Sequence, residues 1–266
     1  MPFTHLRGLR FYYEVHGEGP RLLLFNGSGG DLRREPGILA SPLHEHFEQL
    51  CHDQRGLGQT DRPDIPYSMA DYAEDGAALL DDLGWDRCHV MGVSFGGMVA
   101  QEFAIRFPER VNKLVLACTS SGGAGKPSYP LHELADLPLD ERTNRYLEIL
   151  DTRMTPTWRE ENPQAFESVI RLMAGGDPGA GEPNREIGAQ RQLEARKGHD
   201  TYDRLPTITA PTFCCGGRFD GIAPPENMDA IASQIPNAKL ELFDGGHIFM
   251  QQDPAAWQRI LAFLKD

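Results

Sequence analysis

Short apolar runs alternate along this chain with segments whose apolar residues recur every three or four positions. Residues 9–15 predict a strand, and the Gly17-Glu18-Gly19 turn follows it. Arg21-Leu22-Leu23-Leu24-Phe25-Asn26 is a short continuous apolar run, which suits a strand buried on both faces of a parallel sheet. Residues 47–52 carry a fainter strand pattern. Ala73, Gly76, Ala77, Leu80 and Leu83 recur at helical spacing, and Gly84 stands where that helix would stop. Residues 88–91 read as a strand, 98–105 as a helix ended by Pro108, and 113–118 as the next strand. Residues 210–217 and 240–243 are the last strands. Trp257, Ile260, Leu261 and Leu264 follow i, i+3, i+4, i+7 and predict a C-terminal amphipathic helix. The alternation implies the α/β class, with a mostly parallel central sheet flanked by helices.

One stretch breaks the rhythm. Residues 121–206 contain no convincing strand and open on Gly122, Gly123, Gly125, Pro127 and Pro130. Helical patterns cover 139–153, 163–173 and 185–197, with a Gly/Pro loop at 175–183. The expectation is a core of residues 1–120 and 207–266 with an inserted helical lid at 121–206, attached on the strand-exit side where α/β sites form. The plainer alternative is a set of surface helices with no part in the site.

Composition narrows the classes. The 266 residues, 40% of them hydrophobic, can bury one large α/β core. Lys and Arg number 26 against 39 Asp and Glu, a formal charge of −13, so the field repels phosphate backbones and a nucleic-acid partner is not expected. Residues 1–7 lack a signal-peptide core, and no run nears the roughly 18 apolar residues of a membrane helix. A cytoplasmic protein without membrane attachment is expected. The five cysteines lack scaffold spacing. Cys88, Cys118, Cys214 and Cys215 lie in or beside strand-like runs and read as buried free thiols. Adjacent Cys214 and Cys215 should point to opposite faces of their strand.

The candidate chemistry centres on Gly92-Val93-Ser94-Phe95-Gly96, between a strand and a helix. G-x-S-x-G in that setting reads as a nucleophile elbow, where a turn too tight for side chains pushes the serine hydroxyl outward. The motif alone is weak in a chain with 28 Gly. A serine also needs a base, and the base an orienting acid. Asp220 follows the 213–217 run and His247 follows the 240–243 run, so nucleophile, acid and base come in the order Ser94, Asp220, His247. Taken singly, Asp220 could be a turn or N-cap residue and His247 one incidental His among nine. Acyl transfer also needs two fixed N–H groups for the developing oxyanion. The Phe95 amide is one; the Asn26-Gly27-Ser28-Gly29-Gly30 loop should supply the other, from Ser28. That loop lacks the G-x-x-x-x-G-K-[ST] spacing of a phosphate cradle. His44-Glu45-His46 with His52 does not match the common zinc spacings, so no metal is expected.

Together these motifs resemble the α/β-hydrolase superfamily over nearly the whole chain outside the lid. His52-Asp53-Gln54-Arg55-Gly56-Leu57-Gly58-Gln59-Thr60 resembles the D-x-R-G-x-G-x-S loop of its esterase, lactonase and peroxidase-like members. Gly217 to Asp220 resembles the G-x-x-D acid turn, and Gly245-Gly246-His247 the G-x-H base loop. An Asn26 start to the oxyanion loop, with Asp31-Leu32 after it, departs from the usual His-Gly and is similar to 3-oxoadipate enol-lactonases. The resemblance implies an α/β-hydrolase fold and cofactor-free serine hydrolysis of a small carboxylic ester or lactone, by a protein that works alone or as a homodimer. Asp53 and Arg55 are read as structural; Met154, Trp158 and Met173 are candidates to line the acyl pocket from the lid, with ordinary packing as the plainer reading of each. The runner-up reaction on the same triad is C–C bond hydrolysis or cofactor-free perhydrolysis, and a small-molecule receptor on this scaffold is the alternative outside enzymes.

Overall fold

Leu22 and Leu24 pack on one side of a sheet while Leu23 and Phe25 pack on the other, because successive side chains of a strand alternate. The computed structural model describes residues 2–35, 37–173 and 176–266. Its strands are β1 (Phe3–Leu6), β2 (Leu9–His16), β3 (Arg21–Phe25), β4 (Glu48–His52), β5 (Cys88–Val93), β6 (Val111–Ala117), β7 (Thr212–Gly217) and β8 (Lys239–Phe243). They form one sheet in the order β1-β2-β4-β3-β5-β6-β7-β8. The β1–β2 and β2–β4 pairs are antiparallel, and every later pair is parallel.

Helices cover both faces. On one lie α1 (Met69–Asp82), α2 (Phe95–Arg106) and α7 (Pro225–Gln234), whose Tyr72, Phe95, Phe103 and Met228 pack with Leu23, Phe25, Val90 and Cys214. On the other, α8 (Phe249–Gln252) and α9 (Ala255–Lys265) bring Phe249, Ile260 and Leu264 against Leu24, Met91, Val115 and Cys215. Cys214 and Cys215 therefore face opposite layers as the pleat requires, and all five cysteines are buried and free.

Between β6 and β7 the described residues form α3 (Leu139–Leu150), α4 (Pro156–Glu161), α5 (Pro163–Met173) and α6 (Arg185–Lys197). Leu147, Ile149, Leu150, Met154 and Val169 make a small core there, which includes Ile222 from beyond β7. Periodicity carried α3 to residue 153, but the helix ends at Leu150. Asp151 is extended (φ −151°, ψ 113°), and the carbonyls of Ile149 and Leu150 turn to other loops. No helix among the described residues is long and apolar enough to cross a membrane.

The loop after β4 is held by buried charges. Asp53 accepts the Leu32 and Gln59 amides at 2.7 and 2.8 Å. Arg55 grips Asp75 of α1 through two hydrogen bonds of 2.6 Å. His52 lies edge-on to Phe11 and Phe25, and burial lowers its imidazole to about 4. An unfolded His near 6.5 takes up a proton that the folded one refuses, so His52 supports folding above pH 6.5 and that support is lost as pH falls towards 4. Asp53, raised by burial to about 6, acts in the opposite sense over about pH 4–6 and masks the effect. His52→Phe should therefore gain about 3 kcal/mol relative to wild type between pH 7 and pH 4, read by urea unfolding at both values.

Candidate active site

Ser94 occupies the sharp turn from β5 to α2 with φ 56° and ψ −116°, a conformation costly for a residue with a side chain. The turn closes because its neighbours have none. A Cβ on Gly96 would stand 2.0 Å from the Phe25 carbonyl oxygen, and one on Gly92 would stand 2.2 Å from that of Gly96. The Ser94 amide donates to Ala117 O at 2.8 Å, and the Thr119 hydroxyl donates to Ser94 O at 2.8 Å. Both ends of the peptide are thus fixed to β6 and its exit, while the side chain stays partly exposed.

Asp220 and His247 lie on the loops after β7 and β8, the two strands beyond β6 in the sheet. Asp220 Oδ1 accepts the amides of Ile222 and Ala223 at 2.8 and 2.9 Å, an Asx-type turn that leaves Oδ2 for another partner. That partner is His247 Nδ1 at 2.7 Å. A carboxylate only accepts, so Nδ1 carries the proton, and Nε2 of the neutral ring accepts from the Ser94 hydroxyl at 2.9 Å. Asp220 is fully buried and His247 is 11% exposed at the side chain, so solvent reaches the pair only through the imidazole. The Cys118 thiol also lies within 4.8 Å of the Asp220 and His247 ligand atoms. Burial and the Asp220 charge push it well above the usual thiol range, so it stays protonated and a poor nucleophile.

Sequence reasoning missed what holds these two loops. The end of α3 accepts the Gly221 amide on Ile149 O at 2.9 Å and the His247 amide on Leu150 O at 2.6 Å. The Gln252 side chain accepts the Gly246 amide at 2.7 Å and donates to Asp151 at 2.9 Å. Met154 and Trp158 border a cavity of about 330 Å³ together with Ile248, next in chain to His247. The Met173 side chain lies outside the described residues.

The Asn26–Gly30 loop lies against the elbow, where a Cβ on Gly27 would be 3.7 Å from Ser94 Cβ. The Asn26 side chain accepts the Gly27 amide at 2.8 Å, and Gln54 donates to Asn26 O at 2.9 Å. Gln192 of α6 accepts the Gly29 amide at 2.8 Å and is itself buried. The Ser28 and Phe95 amides donate to no protein group among the described residues. They are free to receive an anionic oxygen, and α2 adds its N-terminal dipole behind Phe95.

The family model described as alpha/beta hydrolase fold matches residues 20–254. The chain belongs to that family. It is 32% identical over 231 residues to a poly(3-hydroxyalkanoate) depolymerase of Ectopseudomonas oleovorans, covering 86% of this chain and 78% of the relative. Among solved structures it resembles the enol-lactonase of Burkholderia xenovorans LB400, with TM-score 0.79 and 22% identity over 100% of both chains. It also resembles a meta-cleavage product hydrolase of Pseudomonas fluorescens IP01, with TM-score 0.72, 23% identity and coverage of 97% and 94%. At those identities the two structures speak for the fold.

Gln192→Ala should free the Asn26–Gly30 loop while leaving the hydrophobic layers intact. Hydrogen exchange at the Gly29 amide is expected to rise by about tenfold or more, with β3 and β5 unchanged.

Proposed function

We propose that this α/β hydrolase cleaves a carboxylic ester or lactone through an acyl-enzyme. The observation that carries the reading is the unbroken line of hydrogen bonds from Asp220 through His247 to the Ser94 hydroxyl, 2.7 and 2.9 Å long. The name of the depolymerase supports it, since a poly(3-hydroxyalkanoate) is joined by ester linkages.

In this reading His247 Nε2 takes the hydroxyl proton as Ser94 Oγ bonds to the carbonyl carbon. The carbonyl electron pair moves to oxygen, where the Phe95 and Ser28 amides receive it. Asp220 fixes the imidazole tautomer and stabilises the imidazolium. Nε2 then protonates the leaving alcohol oxygen as the C–O bond breaks. Water, deprotonated by the same nitrogen, attacks the acyl-enzyme, and the proton returns to Ser94 as the acid leaves. For a lactone the leaving oxygen stays tethered to the acyl group. Residues 121–206 serve as the lid: α3 braces the acid and base loops, and α6 braces the oxyanion loop.

Ser94→Ala should lower turnover of short p-nitrophenyl esters by about 10³-fold or more. Asp220→Asn should lower it by about 10³- to 10⁴-fold, through the wrong imidazole tautomer. A fluorophosphonate probe should modify Ser94, located by peptide mass spectrometry. Modification of Cys118 in its place, or near-normal turnover by Ser94→Ala, removes the assignment. Comparing enol-lactones, aryl esters and vinylogous diketones separates this reading from C–C bond hydrolysis.

A further inference from the structure

Glu182 stands just before α6 and reaches two loops of the core. Its Oε1 accepts Arg33 Nη1 at 2.5 Å, its Oε2 accepts Arg33 Nη2 at 3.3 Å, and Arg62 Nη2 donates to the same Oε2. The other edge of the Arg33 guanidinium lies on Asp31, with Nε at 2.9 Å from Oδ1 and Nη2 at 2.7 Å from Oδ2. Asp31 follows Gly30 directly, and its side chain is fully buried. Asp31, Arg33, Glu182 and Arg62 thus form one chain of alternating charges that runs from the Asn26–Gly30 loop to the insertion and on to the loop after β4.

Isolated ion pairs at a surface contribute at most about 1 kcal/mol, but this chain is a network with better geometry. Arg33 meets each of its two carboxylates through a pair of N–H groups, and the Arg62 side chain is only 10% exposed. Gly179 lies over the clamp so closely that a Cβ there would stand 3.1 Å from both Arg33 Nη2 and Glu182 Oε2. The bonds from Arg33 and Arg62 hold the Glu182 carboxyl down at about 2, so the clamp stays charged throughout the neutral range. The same segment holds the loop a second time, where Gln192 accepts the Gly29 amide at 2.8 Å. Residues 182–192 therefore fix the chain at Gly29 and, through Arg33, at Asp31, both close behind Ser28.

We propose that Glu182 is a positioning residue for the oxyanion loop: through Arg33 and Asp31 it sets where the Ser28 amide stands, so that donor is in place only while residues 182–192 are docked on the core. This rests on the hydrolase reading for the use of the donor, though not for the grip on the loop. Three of the five residues from Asn26 to Gly30 are glycine, the residue with the most conformational freedom, so the loop cannot hold its own shape. A catalytic donor has to stand within about 0.5 Å of its working position. Removing one oxyanion donor outright lowers kcat by about 10²–10³, and loosening one loses part of that.

Glu182→Gln keeps the shape of the side chain, removes its charge and leaves Gln192 in place. Its kcat on a short p-nitrophenyl ester should fall about tenfold with KM within about twofold of wild type, because the oxyanion exists only in the transition state. The inhibition constant of an aryl trifluoromethyl ketone, which adds to Ser94 and leaves an anionic oxygen in the hole, should rise by about the same factor. Arg33→Gln should reproduce both losses, and it decides the matter if Glu182→Gln does not fold. The double variant should lose about as much as either single one, since both act through one contact. Lowered thermal stability with kcat and ketone affinity unchanged, or losses that simply multiply in the double variant, overturn the proposal. Hydrogen exchange reads the grip without turnover: at the Gly30 and Leu32 amides it should rise about tenfold in Glu182→Gln with β3 and β5 unchanged, and unaltered exchange there overturns the grip. Wild type that forms no adduct with the ketone overturns the hydrolase reading, and faster exchange in Glu182→Gln then still upholds the hold of Glu182 on the loop.

Discussion

The site depends on one close approach, the first turn of α2 lying directly on the end of β3. With Gly96 against the Phe25 carbonyl, no other residue type fits that contact, and the Ser94 backbone is forced to positive φ. Such a conformation costs about 1–3 kcal/mol. The burial of Phe95, Val99 and Phe103 on the same helix contributes roughly 1.5–3 kcal/mol each, which more than offsets it. The strain therefore persists because α2 cannot leave the sheet without giving up its apolar face. The same approach holds Phe95 next to Ser94 and brings the Asn26–Gly30 loop against the turn, so under the proposed mechanism nucleophile and oxyanion donors would share one support.

Asp220 and His247 have a different support. They sit on loops that leave parallel strands, and such loops are ordinarily the mobile part of an α/β fold. Here the Gly221 and His247 amides end on the carbonyls of Ile149 and Leu150, the last residues of α3. A helix C-terminus has carbonyls to spare, and the two loops have amides to place. The inserted segment thus completes the hydrogen bonding of the very loops it overlies. Ile222, two residues past the acid, belongs to its small core, and Ile248 packs against that core. Deleting the insertion would expose apolar surface and release His247 together.

Much of this was legible in the sequence, for identifiable reasons. β3, β5, β6 and β7 are buried on both faces, and continuous apolar runs announce such strands. Ser94, Asp220 and His247 were legible because tight turns demand glycine beside them, which leaves a mark at fixed spacing. Asp53 and Arg55 proved to be held in structural bonds within the loop after β4. β1 was missed because it is a four-residue edge strand with alternating partial exposure, and α7 because most of its surface is polar. Gln192 left no mark at all. Polar residues at helical spacing read as a solvated face, and only the fold reveals that this face of α6 turns inward. The α3 carbonyls are beyond any sequence reading, since every residue has one.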